Sequence, residues 1–156
     1  GHGFDDQGSK FDADGNFKMW WTDSDRAKFE VRANCVTSQF DSIDVGNGIR
    51  HNGKLVTGEA MGDLGGLTLA YRAYHNALKG KEAPVMDGFT GDQRLYLGFG
   101  QNWRQMAREN FRINLLKTDP HAPGMARTNG THMIDVFCKT GQQRFDFFKG
   151  FIITAD

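Results

Sequence analysis

The chain of 156 residues carries no net charge, because nineteen Lys and Arg balance nineteen Asp and Glu. That balance gives no general attraction to nucleic acid or to an anionic membrane, so any partner must be selected locally. No apolar stretch approaches the ~18 to 20 residues of a membrane span, and the start of the chain has neither a basic nor an apolar leader region, so any export signal would lie upstream. Cysteine is scarce: Cys35 and Cys138 are the only two. They could bridge in an oxidising compartment, but two cysteines in a domain of this size read as easily as buried free thiols, and the free-thiol reading is favoured. Internal repeats and low-complexity tracts are also missing. A chain of this length buries one modest core, so residues 1–156 are read as a single domain.

Glycine is abundant instead, and its twenty residues cut the chain into short helices and tight connections. Thr22 as N-cap, with Asp25 three residues on, begins a helix of roughly five turns with Ala27, Val31, Cys35, Val36, Phe40 and Ile43 at helical spacing. Residues 49–51 and 54–56 flank Asn52-Gly53, a dipeptide suited to a two-residue turn, so a small β-hairpin is expected there. A second helix carries Glu59, Asp63, Leu67, Tyr71, Tyr74 and Leu78 on one face and ends near Gly80. Gly65-Gly66 inside it costs about 1 kcal/mol per glycine relative to alanine, which points to another helix passing close by. A third helix starts at Thr90 and runs toward Asn110; Pro120 stops anything helical before His121, and residues 131–138 form one more short helix. Residues 145–154 are apolar without a clear period and are left unplaced. The sum is a mainly α fold, short of the strands needed for a sheet of its own.

Two apparent ligand sites are set aside. Asp12-Ala13-Asp14-Gly15-Asn16 begins like an EF-hand loop, but Phe17 stands where glycine is needed and Asp23 where a bidentate Glu is needed, so it reads as a polar turn. Gly98-Phe99-Gly100 lacks a third glycine and a preceding strand, and carries no nucleotide-binding signal.

More informative is Gly1-His2-Gly3-Phe4-Asp5, which reads like the end of a His-Glu-x-x-His helix. In that motif two imidazoles one turn apart hold Zn²⁺ and the glutamate acts as general base. Alone, a histidine beside glycines is more often an exposed or hydrogen-bonded residue. Glu59 and Asp63, four apart, project from one helix face, a spacing that can serve a metal site but taken alone is more often a solvated acidic face. His121 follows a turn-rich stretch, where Asp119 could orient its imidazole.

In order and spacing, His2-Gly3-Phe4-Asp5, Gly58-Glu59-Ala60-Met61-Gly62-Asp63-Leu64-Gly65-Gly66 and His121-Ala122-Pro123-Gly124-Met125-Ala126-Arg127 resemble the neprilysin family of zinc metallopeptidases. Trp20-Trp21, Ala70-Tyr71-Arg72-Ala73-Tyr74 and Thr90-Gly91-Asp92-Gln93-Arg94 extend the resemblance from residue 1 to about Arg127. It implies the C-terminal part of a zincin-type, thermolysin-like catalytic domain, and a zinc-dependent metalloendopeptidase that hydrolyses peptides with zinc-activated water. It further implies His2 and Glu59 as metal ligands, and Asp63 as the carboxylate accepting the free N–H of a ligand histidine. His121 would be the donor to the oxyanion, Arg127 the guanidinium on substrate backbone, and Trp103 a wall of the pocket for the side chain after the scissile bond. Peptides are the implied partners, and the implied location is extracytoplasmic: secreted, periplasmic or an ectodomain.

Departures from the family pattern shape the expectation for these 156 residues. The first ligand histidine, the catalytic glutamate and the segment holding the family's Asn-Ala substrate-binding motif are expected upstream of Gly1, and the end at Asp156 lacks the family's tryptophan-terminated tail. The chain is therefore expected to be the C-terminal portion of a catalytic domain truncated before Gly1, needing the upstream part of the same polypeptide to complete its site. By itself it is expected to hold little zinc and to cleave no peptide. The alternative is a non-catalytic peptide-binding or degenerate module of the same family.

Overall fold

A computed structural model describes residues 1–137, the side chains of residues 131–137 excepted. Two single-turn 3₁₀ helices, His2–Phe4 and Gly8–Lys10, precede five α-helices: α1 Asp23–Ser42, α2 Gly53–Leu78, α3 Gly91–Asn102, α4 Glu109–Thr118 and α5 Gly124–Phe137. Among the described residues, extended pairing outside the helices is confined to isolated antiparallel bridges joining Phe11 with Phe17, Asp44 with Arg50, and Met86 with Phe89. The fold is mainly α.

Helix α1 starts where the sequence places it, with the Thr22 side chain accepting the N–H of Asp25 at 3.1 Å. Asp23 and Asp25 in the first turn add favourable charge at the positive end of the helix dipole. The stripe it buries is narrow: Ala33, Val36, Gln39 and Phe40. Val31, placed on that stripe by spacing alone, is 76% exposed.

The hairpin expected at Asn52-Gly53 does not form there. Asn52 is instead the N-cap of α2, its Oδ1 accepting the N–H of Leu55, and Val56 and Ala60 turn into the core one helical turn apart. Burial with a helical period outweighs the turn preference of the dipeptide. A tight turn occurs five residues earlier, at the chain's other Asn-Gly in this region. Asn47 and Gly48 have φ of 58° and 73°, positive at both central positions as a type I′ turn requires, and the Ile49 N–H donates to the Gly46 carbonyl.

Helices α1 and α2 approach closely because Gly53 has no side chain: a Cβ there would lie 2.0 Å from the Thr37 carbonyl oxygen. The Gly53 N–H donates to Asp41 at 2.6 Å, and the Thr37 and Thr57 hydroxyls meet at 2.6 Å. Val36 and Phe40 from α1, Val56 and Ala60 from α2, and Ala122 and Ala126 around the start of α5 make the core. Fully buried side chains such as Phe40 and Val56 each contribute roughly 1.5–3 kcal/mol.

The predicted face of α2, from Glu59 to Leu78, is half-buried throughout. At its far end Asp92, in the first turn of α3, accepts from the Tyr71 hydroxyl at 3.0 Å and faces His75 Nε2 at 2.9 Å. Burial, and then the Asp92 carboxylate, push the Tyr71 hydroxyl up to about 12.

Four further expectations need correction. Among the described residues, no helix approaches Gly65 or Gly66; a Cβ at either would meet open space. Helix α3 stops at Asn102, before Asn110, because Trp103 turns to pack under Arg127, and α4 follows as a separate helix with Glu109 in its first turn and Lys117 in its last. Helix α5 begins at Gly124, not at Thr131, with the Arg127 N–H donating to the Pro123 carbonyl. Cys35 is disulfide-bonded, so the free-thiol reading falls for it; Cys138 and the unplaced stretch 145–154 lie outside the described residues.

Candidate functional site

His2 sits in the first 3₁₀ turn, whose three-residue repeat brings Asp5 beneath it. His2 Nδ1 lies 2.7 Å from Asp5 Oδ2. Since a carboxylate only accepts, Nδ1 carries the proton and the Nε2 lone pair points the other way. It points toward Glu59 on α2, whose Oε1 is 3.6 Å from Nε2. Asp5 itself is fixed by the N–H groups of Gln7 and Gly8 at 2.9 and 2.8 Å. Burial alone would raise its carboxyl, but the donors from Gly8, His2 and Gln7 outweigh it and hold the group below its ordinary value. The Asp5 hydrogen bond and then the Glu59 charge raise the His2 imidazole.

His121 reaches the same carboxylate from the loop between α4 and α5. Its Nε2 lies 3.1 Å from Glu59 Oε2, while its Nδ1 and its backbone N–H both meet Asp119 Oδ1, at 2.8 and 2.9 Å. Asp119 is the C-cap of α4, so the helix end itself delivers the residue that orients the imidazole. The His121 backbone N–H, and then its ring, hold Asp119 below the usual carboxylate range. Each ring nitrogen of His121 thus faces a carboxylate oxygen that can accept a hydrogen bond from it.

Asp63, one turn beyond Glu59, is engaged differently. Both of its oxygens are taken by Arg127, from Nε at 2.6 Å and from Nη2 at 2.7 Å, a fork-to-fork pair with side chains only 10% and 13% exposed. Arg127 also lies over the Trp103 ring, 3.7 Å from its centroid. The guanidinium is thus held on two sides while its remaining N–H groups stay available. The buried Trp103 indole N–H has no hydrogen-bond partner among the described residues.

The structure therefore brings His2, Glu59 and His121 together, and Asp63, Arg127 and Trp103 beside them. A cleft of about 570 Å³ opens along His2, Asp5, Gly58, Glu59 and Pro120. Asp5 was not singled out from sequence; its only signal is the His-x-x-Asp spacing, which becomes a contact only in a tight turn. Zinc donors in a tetrahedral shell lie about 3.4 Å apart for bonds of ~2.0 to 2.1 Å, so the His2–Glu59 separation fits two positions of such a shell. No group of three or more His, Cys, Asp or Glu able to hold a metal occurs among the described residues.

Residues 1–144 match the profile of Peptidase family M13. Neprilysin-1 of Caenorhabditis elegans is 38% identical over 134 residues, covering 82% of this chain and 18% of that protein. Human endothelin-converting enzyme 1 is 39% identical over 134 residues, covering 83% of this chain and 17% of that one. The crystal structure of Mycobacterium tuberculosis zinc metalloprotease Zmp1 with an inhibitor superposes with a TM-score of 0.76 at 43% identity, over 87% of this chain and 22% of that one. The chain spans about a fifth of the length of these relatives, and it belongs to peptidase family M13.

Proposed function

We propose that this segment is the C-terminal, zinc-binding part of an M13 metalloendopeptidase, with His2 and Glu59 as two zinc donors and the others supplied from outside these 156 residues. The observation that carries the reading is the His2 Nε2 to Glu59 Oε1 separation of 3.6 Å, with the opposite ring nitrogen held by Asp5. Zn²⁺ bound there supplies Lewis-acid polarisation of a peptide carbonyl and activation of water. Asp5 orients the His2 ring, an outer contact of the kind that typically contributes 10- to 100-fold to metal affinity.

His121 turns Nε2 toward Glu59, from where its ring N–H would meet the negative charge developing on the carbonyl oxygen during water addition. Arg127 presents its free N–H groups to substrate backbone, and Trp103 walls the adjoining side-chain pocket. Asp63 keeps Arg127 in place. The disulfide at Cys35 supports an oxidising, extracytoplasmic location.

The test uses an M13 protein that contains this segment. Glu59→Gln is expected to lower bound zinc and peptide cleavage together, whereas His121→Ala retains zinc while kcat falls roughly 10²- to 10³-fold. Loss of zinc in the His121 variant would overturn the assignment of roles. Peptide binding without zinc in the unaltered protein would favour a non-catalytic module.

A further inference from the structure

We propose that Asn47 is a site of spontaneous deamidation, and that the fold selects it over the other Asn-Gly pairs in the chain. There are three such pairs: Asn47-Gly48, Asn52-Gly53 and Asn129-Gly130. Asn-Gly is the dipeptide most open to attack by the following backbone nitrogen, because glycine places no side chain in the path. Sequence alone ranks the three equally.

Their surroundings differ. The Gly53 N–H donates to Asp41 Oδ1 at 2.6 Å, Gly53 is buried, and Asn52 Oδ1 is occupied by the Leu55 N–H. Asn129 and Gly130 lie inside α5, with Gly130 buried and its carbonyl accepting from Gln39 at 2.8 Å. Asn47 and Gly48 are both exposed at the tip of the type I′ turn. Among the described residues the Gly48 N–H makes no hydrogen bond, and a Cβ on Gly48 would meet open space. The attacking nitrogen is therefore free, and the rotation that brings it to the side chain is opposed by the turn bond from Ile49 to Gly46 and by one solvent-exposed side-chain bond from Asn47 to Glu109.

In the reaction the Gly48 nitrogen forms a bond to Asn47 Cγ as the Cγ–Nδ2 bond breaks. Nδ2 leaves as ammonia, carrying the proton from the Gly48 N–H, and a five-membered cyclic imide remains. Water then opens the imide at either carbonyl, leaving aspartate or isoaspartate at position 47, with no change of oxidation state. The product alters a contact between elements. Asn47 Nδ2 donates to Glu109 Oε1 in the first turn of α4, and deamidation replaces that donor with a carboxylate facing a carboxylate. The Arg112 guanidinium, beside Gly46, is the cation placed to draw the new charge away.

The experiment incubates the folded chain in mildly alkaline buffer and maps deamidation by peptide mass spectrometry, with a parallel sample in concentrated urea. Asn47 is expected to convert at least about tenfold faster than Asn52 and Asn129 in the folded chain, with the three rates converging to within about twofold in urea. Equal rates in the folded chain, or an Asn47 slowed by folding as much as the other two, would overturn the proposal. Asn47→Asp should lower the urea midpoint, and adding Glu109→Gln should restore it; a midpoint unmoved by the first substitution would show that the Glu109 contact plays no part.

Discussion

Arg127 is clamped by Asp63 and stacked on Trp103, so its loss leaves a mostly buried carboxylate without a partner. Arg127→Met keeps length and packing, and removal of one partner from such a pair is expected to cost about 3 kcal/mol. Urea unfolding measures this, and an unchanged midpoint would show the pair to be solvent-screened. His51 makes the complementary case. It is 5% exposed, lies edge-on to Phe40, and neither ring nitrogen has a hydrogen-bond partner among the described residues. Burial lowers its pKa, only partly opposed by Asp41. As pH falls through about 6.5 the unfolded imidazole takes a proton that the folded one resists, so the unfolded state binds more protons and stability declines. His51→Leu should flatten the loss of stability between neutral and mildly acidic pH; an identical slope in both proteins would assign the loss to other groups. The members of the candidate cluster were legible at this scale, since the motifs single out His2, Glu59, Asp63, His121 and Arg127, and these side chains meet in the fold. Asp5 was not, because its contact depends on a 3₁₀ turn that Gly-Phe-Asp-Asp does not announce.

Among the elements, the α1–α2 crossing rests on the missing side chain at Gly53. Gly53→Ala places a methyl group 2.0 Å from the Thr37 oxygen, a contact that cannot stand, so the helices must separate. The expected loss is about 1–3 kcal/mol, the range for overpacked cores, although alanine has the higher helix propensity. A stabilised variant in thermal unfolding would mean that the crossing adjusts freely. This same region shows why local signals misplace a turn. Both Asn52-Gly53 and Asn47-Gly48 have turn chemistry, and only the burial of Val56 and Ala60 downstream makes the former a helix start. Trp103 teaches the converse. Residues 103–107 hold Arg, Gln, Met and Ala, good helix formers, yet α3 ends because the indole is drawn to Arg127, a partner distant in sequence.

For the molecule as a whole, the mainly α class and the family were readable, whereas the family match runs to residue 144, past the Arg127 limit read from the motifs. The Cys35 disulfide was not readable, since pairing depends on three-dimensional proximity rather than on count. Large apolar side chains remain at the surface, including Phe4 at 66%, Phe17 at 73% and Met106 at 102% exposure. Twelve large apolar side chains are exposed among the described residues, surface that further protein could cover. The 156-residue chain is expected to bind an apolar fluorescent dye and to associate with rising concentration, and a longer M13 protein containing it to do neither. Equal dye binding by both would mean that these side chains stay exposed in the larger protein.

Glu59 meets His2 through one oxygen and His121 through the other. Those partners come from opposite ends of the described chain, so the cluster forms only after two long loops have closed, a slow step in folding. During synthesis, which proceeds from the N-terminus, His2 and Glu59 emerge well before His121 exists. A nascent chain of this kind cannot assemble the cluster until the residues around His121 have left the ribosome.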